Sequence, residues 1–202
     1  MIKVGLSGNR YSGKSTVASL FKKISIPVFD ADVILKFIVS RDLETIEQIK
    51  KDCGSTIYVN GEIDSKKVTD LDFERILKAS SYQLLKAYDA FNLKYKNSVY
   101  SIFHSSFLFE TDWCDKMDYN INVFAPKTHR MDRCKNLTSM SMTNISYMLR
   151  GEMDDIDKNK FATYIIHNYE NMDIENQVNK IDTKIIDLYL KKEKYSNLSL
   201  VV

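Results

Sequence analysis

The alternation of apolar and polar positions divides the chain into short strands and amphipathic helices. Ile2-Lys3-Val4-Gly5-Leu6 alternates with period two and reads as a strand, whereas Val17, Leu20, Phe21 and Ile24 recur at helical spacing and predict a helix over 14–23, with a loop between the two. Pro27-Val28-Phe29 predicts a second short strand running into Asp30-Ala31-Asp32, and Val33, Ile34, Phe37 and Ile38 mark the apolar side of the helix that follows. From Leu43 to about Lys96 the pattern is mostly helical, broken at Val59-Asn60-Gly61-Glu62, where Asn-Gly is a strong turn signal. Tyr100-Ser101-Ile102-Phe103 and Ile121-Asn122-Val123-Phe124 predict two more strands, with Phe107-Leu108-Phe109-Glu110 opening a loop or short helix between them. Pro126 suits the first turn of the next helix, and helical character runs from about Lys127 to Phe161 around a polar, Met-rich interruption at 138–144. Tyr164-Ile165-Ile166 gives the last strand and Ile174 to Lys192 the last helix. Strands alternating with helices imply an α/β fold on a parallel sheet, and with no repeat, low-complexity tract or linker a single domain over 1–202 is expected.

Composition narrows the function. The 202 residues are 44% hydrophobic, enough to fill a core, and 29 Lys plus Arg against 27 Asp plus Glu leave a net charge of only +2. That balance weighs against a strongly basic nucleic-acid binder and against an acidic disordered tail. The 12 Tyr, 10 Phe and Trp113 are not interleaved with basic residues as a single-strand stacking platform requires. No apolar stretch approaches the ~20 residues that span a bilayer, and Ser7, Gly8 and Asn9 interrupt the N-terminus before a signal-peptide core can form. The expectation is a cytoplasmic, monomeric protein with a small-molecule partner, no nucleic acid and no membrane. Cys53, Cys114 and Cys134 lack C-x-x-C spacing and read as reduced thiols, and the scattered His104, His129 and His167 supply no four-ligand metal site.

The chemistry concentrates in Gly8-Asn9-Arg10-Tyr11-Ser12-Gly13-Lys14-Ser15, which fits G-x-x-x-x-G-K-[ST] between a predicted strand and a predicted helix. A loop turning into a helix N-terminus aims backbone N–H groups at an anion, and the helix dipole adds partial positive charge. Lys14 then reaches the β- and γ-phosphates of a nucleotide and the Ser15 hydroxyl serves Mg²⁺. Asp30 and Asp32 stand at a strand end, and in a parallel sheet such ends share one edge with the phosphate loop. Asp32 is placed to accept or orient a hydroxyl proton for attack on a γ-phosphoryl group, with Asp30 as its cap or support. A basic run on the helix after Pro126 sets Arg130 and Arg133 on one face, where a guanidinium can neutralise charge on the transferred phosphoryl; a solvated basic face is the alternative.

These landmarks, in this order, resemble the dephospho-CoA kinase family along nearly the whole chain. Val4-Gly5-Leu6-Ser7-Gly8 into Ser12-Gly13-Lys14-Ser15-Thr16 is similar to its phosphate loop, and Val28-Phe29-Asp30-Ala31-Asp32 to its Asp-Ala-Asp signature. Cys53-Gly54 through Asn60-Gly61-Glu62-Ile63-Asp64, Phe107-Leu108-Phe109-Glu110, Ala125-Pro126 with Arg130 and Arg133, and Ala162, Tyr164-Ile165-Ile166 and Asn168 follow its later segments. The resemblance implies a P-loop kinase fold: a five-stranded parallel sheet flanked by helices, a helical substrate-binding insertion near 43–97 and a lid near 127–152. It implies ATP- and Mg²⁺-dependent transfer of the γ-phosphoryl to the ribose 3′-hydroxyl of dephospho-CoA, giving coenzyme A. Lys14, Asp32 and Arg133 are then the catalytic set. Gly8, Tyr11, Ser12, Gly13, Lys14, Ser15, Thr16 and Arg130 hold the nucleotide, with Ser15 on the metal.

The chain departs from the family at several positions. Asn9 and Tyr11 replace glycines, which predicts an altered loop shape because Tyr takes positive φ at a cost. His104 and Ser106 stand where Asp and Pro are usual, Tyr88-Asp89 where His-Pro is usual, and Leu137 where Arg is common, with Arg150 a candidate substitute. Two alternatives stay open: a kinase for another nucleoside or nucleotide, and a nucleotide-binding module impaired in catalysis.

Overall fold

A computed structural model describes residues 1–64, 66–138 and 153–198. In chain order the elements are β1 (Ile2–Ser7), α1 (Lys14–Lys23), β2 (Val28–Asp30), α2 (Ala31–Arg41), α3 (Leu43–Cys53), β3 (Tyr58–Val59), β4 (Glu62–Ile63) and α4 (Asp70–Lys94). They continue with β5 (Tyr100–His104), β6 (Tyr119–Phe124), α5 (Lys127–Leu137), α6 (Asp155–Phe161), β7 (Tyr164–His167) and α7 (Ile174–Leu198). The chain divides into two compact units, 1–28 with 95–202, and 29–94. The lid expected over 127–152 is described as far as Thr138; Arg150 and the rest of that segment lie outside the described residues.

Five strands form one sheet in the order β2-β5-β1-β6-β7. β1 pairs in parallel with β5, Ile2 opposite Tyr100 and Leu6 opposite His104, and on its other side with β6, Val4 opposite Tyr119 and Ser7 opposite Asn122. β7 extends the sheet in parallel from β6, Ile121 facing Tyr164. The period-two alternation sorts side chains to two faces. Ile2, Val4, Leu6, Tyr100, Ile102, Ile121 and Val123 meet Val17, Ala18 and Phe21 of α1 and Val178, Ile181 and Ile185 of α7 in the main core. The Tyr100 hydroxyl, inside that core, donates to Asp182 Oδ1 at 2.6 Å; burial, with Asp182 adding to it, pushes the phenol far above its ordinary pKa.

The opposite face is partly polar. Phe103 meets Trp113 edge to face at 5.8 Å, but Asn120 Nδ2 donates to Cys114 O at 3.0 Å and Asn122 Nδ2 to Asn159 Oδ1 of α6 at 2.7 Å. Beside them Lys158 Nζ of α6 pairs with Glu110 Oε1 at 2.7 Å, with the lysine side chain only 1% exposed.

In the second unit Asp30 accepts from Val33 N to cap α2, and Asp42 accepts from Thr45 N at 2.9 Å and Thr45 Oγ1 at 2.6 Å to cap α3. Those two bonds hold the Asp42 carboxyl below its ordinary pKa. Ile49, Ile57 and Ile76 fill this unit's core. The Asn60-Gly61 turn, with φ of 53° and 84°, closes the two-residue antiparallel strands β3 and β4, because two consecutive left-handed residues match the twist of a hairpin. Tyr88 is buried in an aromatic group, its ring centroid 5.2 Å from that of Phe29 and 6.4 Å from that of Phe91.

Candidate active site

The loop between β1 and α1 is built by close approach. A Cβ on Gly8 would strike Val123 O at 2.6 Å, so only glycine lets the chain turn this tightly against β6. Gly13 stands in the left-handed region at φ 93° as the first cap of α1, and a side chain there would collide with the Asn168 amide. Among the described residues no side chain caps α1. Thr16 N donates to Gly13 O at 3.0 Å, so the N–H groups left for the loop side are those of Lys14 and Ser15, and a helix N-terminus of this kind carries partial positive charge for an anion. Lys14, Ser15 and Thr16 make the first turn of that helix, with the serine and threonine exposed.

Tyr11 does take the left-handed conformation, at φ 62°, for which an L-residue forfeits about 1–2 kcal/mol. Its ring is secured by packing against Cys134 of α5, which Met131 also meets. A hydrogen bond with Cys134 and partial burial push its phenol above the ordinary pKa. The loop thus has a left-handed residue at position 11, reached with a side chain that is anchored.

The loop carbonyls are gathered by two arginines. Arg133 Nη1 donates to Tyr11 O and Ser12 O, both at 3.1 Å, while Nη2 donates to Asn168 O at 2.7 Å and Oδ1 at 3.3 Å. Asn168 Nδ2 donates in turn to Ser12 O at 2.7 Å. Arg130, 3% exposed, donates through Nε to Ala125 O at 3.2 Å and through Nη1 to Arg10 O at 3.3 Å, and its Nη2 meets Asp155 Oδ2 at 3.4 Å. Asn9 Nδ2 donates to Met153 O at 3.2 Å and Asp155 Oδ1 at 3.0 Å.

The structure therefore brings Gly8, Tyr11, Ser12, Gly13, Lys14, Ser15, Thr16, Arg130 and Arg133 to one loop in the first unit. The i, i+3 pair of arginines is not a solvated face. Its donors lie on loop carbonyls, so Arg133 would have to exchange those bonds to meet a transferred phosphoryl. Asp32 stands half-buried in the first turn of α2, in the second unit, behind the Asp30 cap. His104 is buried at the end of β5, and Leu137 is 75% exposed.

Sequence patterns give no role to Asp155 or Lys158. Asp155 sits among acidic residues that read as a helix start, and Lys158 looks like one charge of a short polar helix. Asn168 carries a signal only through the resemblance. Among the described residues no three His, Cys, Asp or Glu side chains cluster as a metal site. No described helix is long and apolar enough to cross a membrane.

A central parallel strand that breaks into a glycine-lined loop over an uncapped helix start is the architecture of nucleotide-dependent phosphotransferases with a phosphate loop. The comparisons agree at both levels. A crystal structure from Thermus thermophilus superposes with a TM-score of 0.70 at 23% identity, over 93% of this chain and 97% of that one. Dephospho-CoA kinase from Campylobacter jejuni gives 0.52 at 19% identity over 91% and 96%. The family model for dephospho-CoA kinase matches residues 2–173, and the chain belongs to that family of ATP-dependent phosphotransferases. Coxiella burnetii dephospho-CoA kinase is 30% identical over 75% of this chain and 80% of its own.

Proposed function

We propose that the protein transfers the γ-phosphoryl group of ATP to the ribose 3′-hydroxyl of dephospho-CoA. The observation that carries this reading is the open N-terminus of α1 behind Gly8 and Gly13, set in a chain whose family match runs from residue 2 to 173. Backbone N–H groups of the loop and of Lys14 and Ser15 bind the phosphates, and the Lys14 ammonium spans the β- and γ-groups. Mg²⁺ keeps most of its ligands as water and phosphate oxygens, so one exposed hydroxyl, that of Ser15, suffices as the protein's contribution and fits the donor set present. In this reading Asp32 orients the attacking hydroxyl and accepts its proton, while Arg130, Arg133 and Asn168 keep the loop carbonyls turned away from the anion. The reaction needs no covalent intermediate; positioning and charge stabilisation supply the rate.

The test is ADP production with Mg-ATP in the presence of dephospho-CoA, adenosine, AMP, a deoxynucleotide panel or no acceptor, with Lys14→Ala as the blank. Turnover confined to dephospho-CoA is expected, lost in Asp32→Asn with ATP affinity largely kept. Turnover of another nucleoside or nucleotide without dephospho-CoA would reassign the acceptor. Silence on every acceptor with ATP bound would make the chain a nucleotide-binding module.

A further inference from the structure

At position 9 the loop carries an amide side chain that is almost completely buried, 3% exposed, and both of whose donor hydrogens go to the chain beyond residue 152. The orientation of that amide follows from its neighbours. Met153 O and Asp155 Oδ1 are both acceptors, so Nδ2 must face them. Asn9 Oδ1 is buried with no hydrogen-bond partner among the described residues, a cost that an apolar or absent side chain would avoid. Asp155 is shared: one carboxylate oxygen takes Asn9, the other meets buried Arg130 of α5, whose Nη1 holds the next loop carbonyl, Arg10 O. A single carboxylate at the start of α6 thus connects the loop to α5, 25 residues earlier in the chain. Next to this junction Tyr11 holds a left-handed backbone that its residue type disfavours.

We infer that Asn9 and Asp155 are positioning residues for nucleotide binding: their side-chain bond, relayed to Arg130, holds the phosphate loop in its anion-binding curve at a point where the chain has an asparagine in place of a more permissive residue. Neither touches the nucleotide. They act by keeping the loop carbonyls tied back, so that the N–H groups opposite them converge before the ligand arrives. The inference rests on the loop being the nucleotide site, and not on the identity of the acceptor.

Binding of a non-hydrolysable ATP analogue with Mg²⁺ to the full chain, measured by calorimetry, tests it alongside amide hydrogen exchange of residues 8–13 without any nucleotide. Losing a hydrogen bond to a carboxylate predicts about a tenfold rise in Kd for Asn9→Gly; Asp155→Ala also takes the carboxylate from buried Arg130 and should raise Kd further, and adding Asn9→Gly to it should bring no additional rise. Asn9→Asp sets two carboxylates against each other and should weaken binding more. Asp155→Asn keeps an amide oxygen for the Asn9 amide and should weaken binding and loop protection less than Asp155→Ala does. Native affinity in Asn9→Gly, additive effects in the double variant, or an Asp155→Asn no better than Asp155→Ala overturns the inference. Protection of the loop unchanged in every variant overturns it too, even if the analogue fails to bind the native chain. Intact analogue binding with no turnover of dephospho-CoA would remove the acceptor assignment and leave the positioning role standing.

Discussion

The ion pair between Lys158 and Glu110 makes a quantitative prediction because its two members differ in access to water. The Lys158 side chain is 1% exposed and its Nζ lies 2.7 Å from Glu110 Oε1, whereas the glutamate side chain is 23% exposed. In Glu110→Gln the ammonium stays buried and loses its counter-charge, and breaking a buried pair from one side costs about 3–5 kcal/mol. For a chain of this size each kcal/mol lowers Tm by about 2–4 °C, so a fall of roughly 6–20 °C is expected. Lys158→Met removes the buried ammonium but leaves a carboxylate whose Oε2 is buried with no partner among the described residues, so its cost should also be about 3–5 kcal/mol. The double variant, with an amide beside a thioether, should lie nearer the native protein than Glu110→Gln does. Urea and thermal unfolding at pH 7 read all three, and repeating them in 1 M NaCl separates a buried pair from a screened one. A cost for Glu110→Gln below about 1 kcal/mol, or one that disappears in high salt, would refute the burial argument, since that is how a solvated surface pair behaves.

Two further outcomes are expected. Gly13→Ala forces a Cβ onto the Asn168 amide at φ 93° and should displace it from Ser12 O; the stabilisation of the protein by Mg-ATP in a thermal melt should vanish, while the nucleotide-free Tm falls only by what about 1–2 kcal/mol of left-handed strain predicts. Asp42 has a folded pKa held below its unfolded value, so the stability it lends to α3 is present above about pH 4 and is lost as pH falls through the lowered value. Asp42→Ala should therefore cost about 1 kcal/mol in urea midpoints at pH 7, and the gap to the native protein should close at acid pH.

Much of this architecture is legible in the sequence because local and long-range signals agree. The strand and helix around Gly8 to Ser15 show two clean periodicities with a glycine at each sharp bend, and the helix of 14–23 falls where the spacing places it. Asn60-Gly61 announces a reversal, but two-residue strands are too short to show alternation, so β3 and β4 emerge only in three dimensions. The sheet order is unreadable for a different reason: nothing in β6 says that it, and not β5, takes the far side of β1. At the site, the spacing of Arg130 and Arg133 gives their common direction but not their target. The partners of those arginines are main-chain oxygens, which have no sequence signature. Asp155 and Lys158 are hidden in the same way, because a charged residue on a short helix looks solvated until its partner, 146 residues away for Asp155 and Asn9, is brought beside it.

The placement of β1 at the centre of the sheet also bears on how the protein is made. Its first partner, Tyr100, is opposite Ile2, and its second, β6, begins at Tyr119. During synthesis this central strand thus precedes both of its neighbours and pairs with neither until about a hundred further residues have followed, roughly 5–20 s at ~5–20 residues per second. An apolar segment waiting that long, and able to pair only across a long loop, makes folding slow by topology and leaves the nascent chain dependent on whatever shields β1 until β5 arrives.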